Sequence, residues 1–245
     1  MKTTTVMVPT YNESGNIRQL LEQLIALQVP GHSINIIVVD DNSPDGTAKI
    51  VTEIAAQNPR VLLKVRTNER GRGSAGIAGF KEAMKRKPDY IIEMDADFSH
   101  DPKYIPAMLA AADAGADLVT GSRYVTGGGD PDRTAARRVL SALAGFYVRT
   151  ILGLKVKDPT GGFRLYRREV LETIDLDHLL SLGPSIVLET LFKASVKGFR
   201  IAEVPIVFLD RKVGVSKLSG NYLKECLAMV VKLRYLHLRG ALFHS

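Results

Sequence analysis

The chain contains no tryptophan and a single cysteine, Cys226. One thiol excludes an internal disulfide and points to a reducing compartment. No apolar run reaches the ~18 residues that a membrane-spanning helix needs, so no span is expected. The N-terminus, MKTTTVMVPTYNE, enters a strand pattern directly. It lacks the basic segment and apolar stretch of a signal peptide. There is no internal repeat, low-complexity tract or linker, so residues 1–220 are expected to form one domain and 221–245 a C-terminal extension of it. Nucleic-acid signatures are missing as well: no helix-turn-helix, no zinc spacing, and no basic stripe interleaved with aromatics. Acidic residues are outnumbered, 26 against 33 Lys and Arg, for a net charge of +7. That balance calls for anionic partners. With nucleic acid set aside, acidic lipid and phosphorylated substrates remain.

What is present is ordinary for a globular α/β chain. The 245 residues are 45% hydrophobic and 24% charged, enough for a sizeable core. Short apolar runs at Thr5–Val8, Ile34–Val39, Val61–Val65, Tyr90–Met94 and Leu118–Thr120 read as buried strands. Helical patterns at 13–27, 46–57, 74–87 and 102–113 lie between them; Leu20, Leu21, Leu24 and Leu27 form the apolar stripe of the first. Such alternation predicts a mostly parallel sheet flanked by helices, with ligands bound beyond the carboxyl ends of the strands. Three acidic clusters fall at those ends: Asn12-Glu13, Asp40-Asp41 and Asp95-Ala96-Asp97. Further on come a glycine-rich loop at Tyr124–Arg133, read as mobile, and a basic amphipathic stretch at Arg137–Leu154. A tight turn follows at Asp158–Phe163, then a helix at Val187–Lys197. Strands near Arg200–Val204 and Ile206–Leu209, a loop at Arg211–Gly220 and a helix at Tyr222–Leu238 complete the chain.

Each motif has a plain reading beside the chemical one. Asp95-Ala96-Asp97 ends an apolar run with two carboxylates. That is either a solvated junction or a site for Mg²⁺ or Mn²⁺, which prefer oxygen ligands. Gly71-Arg72-Gly73-Ser74-Ala75-Gly76 is literally GxGxxG. It follows the third strand only after Thr67–Arg70, however, which is the wrong context for a dinucleotide fingerprint. A helix N-terminus with small residues for close packing, near a phosphate, fits better. V-V-D-D-N-S-P-D-G-T at 38–47 has turn and capping residues, yet its paired acids suit a base or ribose. Arg123, Arg211 and Lys217 stand in loops beside strand ends, where phosphate contacts are common. His32, His100, His178, His237 and His244 show no ligand spacing and read as surface or packing residues. Glu189, in an apolar helix, reads as a locally satisfied carboxylate.

Taken in order, V-P-T-Y-N-E (8–13), V-V-D-D-N-S-P-D-G-T (38–47), D-A-D-F-S-H-D-P (95–102), G-S-R-Y (121–124) and D-P-T-G-G-F (158–163) resemble the family 2 glycosyltransferases of GT-A fold. The likeness is greatest to the polyprenol (dolichol) phosphate mannose synthases. It runs from Val8 to about Gly220. It implies that Pro9, Tyr11, Glu13, Val39 and Asp41 hold the guanosine. Asp95 and Asp97 would bind a divalent metal, with the Ala96 main chain close by. Arg123, Arg211 and Lys217 would bind the donor diphosphate or the acceptor phosphate, and Arg123, Arg137 and Ser141 match acceptor-phosphate positions. Asp95, Asp97, Arg123 and Arg211 thus carry the catalytic role. Ser99 falls where some members have a Gln ligand.

The implied reaction joins GDP-mannose to a polyprenyl or dolichyl phosphate with inversion. A lipid phosphate is already an anion, so no general base is needed. A sister reaction from a UDP-sugar, or a nucleotide-binding module without turnover, would share the same motifs. A processive polysaccharide synthase would not, because its QxxRW motif needs a tryptophan. A lipid acceptor without a span implies a peripheral protein on the cytoplasmic face of a plasma or endoplasmic reticulum membrane, aided in some relatives by a small membrane partner. Arg137–Leu154 is the candidate interfacial helix; an ordinary core-packed amphipathic helix is the alternative. Asp97→Ala is expected to abolish metal-dependent activity at little cost in stability, as a surface carboxylate would.

Overall fold

Period-two alternation in the first strands sorts the core into two layers. The computed structural model describes residues 1–68, 70–181, 183–209 and 220–243. In β1 (Lys2–Thr10), Val6 and Val8 face one layer and Met7 the other. In β2 (His32–Asp40), Ile36 and Val38 take the first layer and Ile37 and Val39 the second. Strands buried on both faces belong in the middle of a parallel sheet covered by helices, and they lie there. Among the described residues the sheet has seven strands in the order β3-β2-β1-β4-β6-β5-β7, the others being β3 (Val61–Val65), β4 (Tyr90–Glu93), β5 (Leu118–Ser122), β6 (Arg164–Arg167) and β7 (Ile201–Pro205). β1 pairs in parallel with β2 and β4, β2 with β3, and β5 with β7. β6 is antiparallel to its neighbours, β4 and β5. The expected mostly parallel, helix-flanked architecture is therefore present.

The helices are α1 (Ile17–Ala26), α2 (Thr47–Gln57), α3 (Arg72–Met84), α4 (Ile105–Asp113), α5 (Ala135–Leu152), α6 (Arg168–Thr173), α7 (Ile186–Val196) and α8 (Gly220–Leu238). α3 lies tightly on the sheet: a Cβ at Gly79 would come within 2.5 Å of Met7 Cγ. α8 packs on α5 and α7, with Val230 and Leu233 fully buried in the main core.

Three readings change. β6 and α6 had no counterpart in the sequence reading. R-L-Y-R offers only two apolar residues and is four residues long; its first arginine is nevertheless fully buried. Ile206–Leu209 is not a strand: Val207 makes one bridge, to Gly129. That bridge bears on the glycine-rich loop read as mobile, whose Gly129 donates to Ile206 O and accepts from Phe208 N. Finally, α5 is not packed along its whole length. Gly145, Val148 and Leu152 are buried, but Val139, Leu140, Leu143 and Phe146 are 60%, 55%, 61% and 59% exposed. Val231, Tyr235 and Leu238 of α8 are exposed too.

Candidate active site

The carboxyl ends of β1, β2, β4 and β5 open on one edge of the sheet, and β6 enters at that edge because it runs the other way. The acidic clusters therefore do share a crevice with the segments 121–124 and 158–163.

At the β1 and β2 ends, most of the turn motif builds the turn itself. Asp40 is fully buried and accepts from Thr10 Oγ1 (2.8 Å), Ser43 N (2.8 Å) and Ser43 Oγ (2.6 Å). Ser43 Oγ in turn accepts from Asn12 N. Asn12 and Asn42 take positive φ, 56° and 53°, a conformation asparagine tolerates better than most residues. Asp45 accepts from Ser14 N and from both donors of Thr47. Burial works to raise its pKa, but these bonds outweigh it and hold the carboxyl at about 2. Asp41 is different. It accepts from Gly71 N at 2.8 Å and lies 3.4 Å from Arg66 Nη1. That ion pair falls on its buried Oδ1, which accepts no hydrogen bond among the described residues and so keeps room for a ligand N–H.

Tyr11 is half-buried under the Arg70 guanidinium, 5.2 Å from the ring centre. Glu13 is buried and accepts from Asn16 Nδ2. Pro9 is half-buried and stands opposite Val39 in the β1–β2 pairing. The Val39 side chain is wholly in the core, against α3, so only its main chain is available to a ligand. The same holds for Ala96, whose methyl is packed in the other core layer.

At the β4 end, Asp95 Oδ1 accepts from Arg72 Nη2 at 2.7 Å, and its main-chain N donates to His100 Nδ1 at 2.9 Å. His100 is buried and stacks on Phe163 at 5.1 Å. Burial lowers its pKa, and because Nδ1 accepts from Asp95 N, the neutral ring carries its proton on Nε2. The packing reading of this histidine holds, with a second task in setting the Asp95 main chain. Asp97 Oδ1 accepts from Ser99 N (3.1 Å) and Ser99 Oγ (2.6 Å). Ser99 therefore aims Asp97. Asp97 is 7% exposed, which corrects its reading as a surface carboxylate: an alanine there strands two donors of Ser99.

Arg123 spends two of its guanidinium nitrogens on protein partners. Nε and Nη2 form a two-pronged pair with Asp158 at 2.7 and 2.8 Å, and Nη2 also reaches Thr160 Oγ1. Burial works to raise the Asp158 pKa, but Arg123 outweighs it and holds the carboxyl below its usual range. This pair binds G-S-R-Y to D-P-T-G-G-F. The turn also needs its glycine, since a Cβ at Gly161 would meet Gly121 O at 2.9 Å. Ser141 accepts from Arg133 Nη1 at 3.0 Å, bringing a cation that the sequence reading passed over to the start of α5. Arg137 is exposed on the first turn of that helix, capped by Thr134. Arg211 and Lys217 lie outside the described residues.

Two other motifs resolve. Gly71 N binds Asp41 where α3 begins, and Gly76 and Gly79 lie against Glu93 and Met7. The plain helix-start reading of GxGxxG is the right one. Glu189 is fully buried, accepts from Leu180 N and Ser181 N, and pairs with Lys193 at 3.1 Å, a local structural role. Besides Arg133, sequence reasoning missed Arg72, whose neighbouring glycines drew attention away from the arginine between them.

Residues 5–175 match the model of glycosyl transferase family 2. The chain is 43% identical over 230 residues to polyprenol monophosphomannose synthase of Mycolicibacterium smegmatis, covering 94% of this chain and 86% of that protein. It is 40% identical over 226 residues to undecaprenyl-phosphate mannosyltransferase of Micrococcus luteus, with 92% and 91% covered. For dolichol-phosphate mannosyltransferase of Pyrococcus furiosus the identity is 38% over 232 residues, with 94% and 63% covered. Among solved structures, glucosyl-3-phosphoglycerate synthase of Mycobacterium tuberculosis with UDP superposes with a TM-score of 0.70 at 18% identity, covering 96% of this chain and 80% of that one. The same enzyme with Mn²⁺, UDP and glucosyl-3-phosphoglycerate gives 0.66 at 19% identity, with 98% and 80% covered. These structures share the fold. The chain belongs to glycosyl transferase family 2 and is a glycosyltransferase of GT-A type without a helix long and apolar enough to cross a membrane among the described residues.

Proposed function

We propose that the protein transfers mannose from GDP-mannose to a polyprenyl phosphate with inversion, in a reaction dependent on Mg²⁺ or Mn²⁺. The observation that carries this reading is the convergence of Asp95, Asp97 and Asp41 at one sheet edge, in a chain 38–43% identical to three polyprenyl-phosphate mannosyltransferases. The donor set fits the metal. Asp95 and Asp97 supply hard oxygen ligands, and among the described residues no third Asp, Glu, His or Cys joins them in a metal-sized group. A cation held by two carboxylates and completed by diphosphate oxygens is the ordinary arrangement for Mg²⁺.

Asp41, with an unmet acceptor and Gly71 N beside it, takes base or ribose N–H and O–H groups. Tyr11 and Glu13 close the nucleoside side, and the main chains of Pro9, Val39 and Ala96 line it. Ser99 and Arg72 fix the two metal-binding carboxylates. Asp95 and Asp97 would hold the metal where it would supply positive charge to the leaving diphosphate. The acceptor phosphate arrives ionised, so the protein's task is to place its oxygen in line with the anomeric carbon and to offset repulsion between two anions. Arg137 and the Arg133–Ser141 pair stand on the acceptor side. Arg211 and Lys217 are proposed for the phosphates on resemblance alone.

The exposed apolar residues of α5, with Arg137 and Arg138 at its start, are proposed to rest in the bilayer interface, from which a lipid acceptor would enter. Leu143→Glu with Phe146→Glu should abolish flotation with anionic liposomes while leaving thermal stability unchanged, since both side chains are already exposed. Undiminished flotation of the folded double variant would refute the interfacial role.

A second donor reading has its own support: structures of this fold hold UDP and UDP-glucose. Purified protein given Mn²⁺, a short polyprenyl phosphate and either GDP-mannose or UDP-glucose separates the two. A mannolipid from GDP-mannose is expected. Product from UDP-glucose alone would transfer the assignment to a polyprenyl-phosphate glucosyltransferase. Nucleotide binding without product from either would make the chain a binding module.

A further inference from the structure

Arg72 stands inside the site on the first turn of α3. Its Nη1 donates to Glu93 Oε1 at 2.9 Å and its Nη2 to Asp95 Oδ1 at 2.7 Å. A guanidinium is a planar fork with donors enough to span two carboxylates at once. One end of the span is fixed, because the Glu93 side chain is 1% exposed within β4. Behind it, Glu93 stands opposite Arg164 in the β4–β6 pairing. The fully buried Arg164 in turn donates to the carbonyl oxygens of Pro159 and Val187. Gly162 closes in on the guanidinium from the 158–163 turn, where a Cβ would come within 3.1 Å of Nη2. α3, β4 and the 158–163 turn thus confine this cation beside Asp95.

We propose that Arg72 is a positioning residue that weakens and aims the hold of Asp95 on the divalent cation. It occupies one carboxylate oxygen and places a fixed positive charge next to the metal position. The inference rests on the reading of Asp95 and Asp97 as metal ligands. A divalent ion feels each neighbouring unit charge twice over, and the effect is large at such separations in a partly buried site. A carboxylate pair left undiluted would grip the metal, and with it the product diphosphate, too firmly for turnover. Arg72 sets that grip, and Glu93 keeps Arg72 from swinging into solvent.

The test is direct Mn²⁺ binding without nucleotide, followed by electron paramagnetic resonance of the free ion, on the full chain. Arg72→Gln should bind Mn²⁺ at least about fivefold more tightly than the parent, and Arg72→Lys, which keeps the charge, within about twofold of it. Arg72→Gln leaves Glu93 buried without its partner, so a second comparison guards against misfolding: Glu93→Gln alone against Glu93→Gln with Arg72→Gln, where the same tightening is expected. A purely structural Arg72 would lower melting temperature and leave Mn²⁺ affinity unchanged or weaker in both comparisons, which overturns the proposal. Asp97→Asn is the control. If it loses Mn²⁺ while neither Arg72 variant gains, the Arg72 role alone fails. If it binds Mn²⁺ like the parent, the metal reading fails and takes the Arg72 role with it.

Discussion

Asp97→Asn is expected to lower kcat/KM by a factor on the order of 10³ while the protein stays folded, because metal stabilisation of a leaving group contributes several kcal/mol to the transition state. Asparagine is the informative substitution. Its side-chain oxygen can still accept from Ser99 N and Oγ, as Asp97 Oδ1 does, so the local turn survives and only the charge is lost. Alanine removes the acceptor as well. It leaves a buried N–H and a hydroxyl unsatisfied, at about 1–3 kcal/mol, and would confuse a stability loss with a catalytic one. Steady-state rates at saturating and limiting Mn²⁺ provide the check. A variant that regains parental kcat at high Mn²⁺ shows weakened metal binding, and one that does not has lost transition-state stabilisation. Parental activity at all Mn²⁺ concentrations would remove Asp97 from the site.

Asp158→Ala should cost about 3–5 kcal/mol of stability, the usual result of stripping one member from a buried ion pair. Asp158 is fully buried and receives three bonds from Arg123, two from the guanidinium and one from the main chain. Without it, the charge of Arg123 is left buried beside Thr160. At roughly 2–4 °C per kcal/mol for a chain of this size, the melting temperature should fall by about 10 °C, read by calorimetry or circular dichroism. Replacing both partners with apolar residues, Arg123→Met with Asp158→Leu, should recover much of that loss, because an isosteric apolar pair is often as stable as the ion pair it replaces. Activity then separates two roles of Arg123, holding the turn and the phosphate contact that the family resemblance implies. If the double variant recovers stability and activity together, Arg123 serves the turn. If stability returns and transfer does not, Arg123 also serves a phosphate. A melting temperature within about 2 °C of the parent in Asp158→Ala would contradict the buried-pair account.

The sheet was legible because its central strands are apolar on both faces, a pattern with few alternative homes. Strand ends carrying Asp40-Asp41 and Asp95-Asp97 were legible for the same reason: the apolar runs stop at the acids. β6 was not, because its burial depends on partners remote in sequence. Arg164 is tolerable inside through partners such as the carbonyls of Pro159 and Val187 and the opposed Glu93, none of which R-L-Y-R announces. Residue type pointed to the crevice better than it described the work done there. Asp40 and Asp45 look as available as Asp41, but both are consumed by turn hydrogen bonds. Arg123 reads as a phosphate ligand, and its buried pairing with Asp158 had no sign in the local sequence. Val39 lies in the right stretch of chain with its side chain in the core. Arg72 lacked any signal of its own, since its role comes from Glu93 at the end of β4 and Asp95 just beyond it, both reached only after α3.

The reversal of β6 has a consequence for where the chain tolerates being cut. In the parallel part of the sheet, the segment leading into a strand lies at the edge remote from the crevice. The link from α4 to β5 is such a segment, on the same side as the Lys2–Asp113–Tyr90 cluster. The link from α5 into β6 arrives from the opposite side and is itself crevice wall. New termini between α4 and β5 would leave the site intact, whereas new termini between α5 and β6 would open it, although the two links look equally like surface loops.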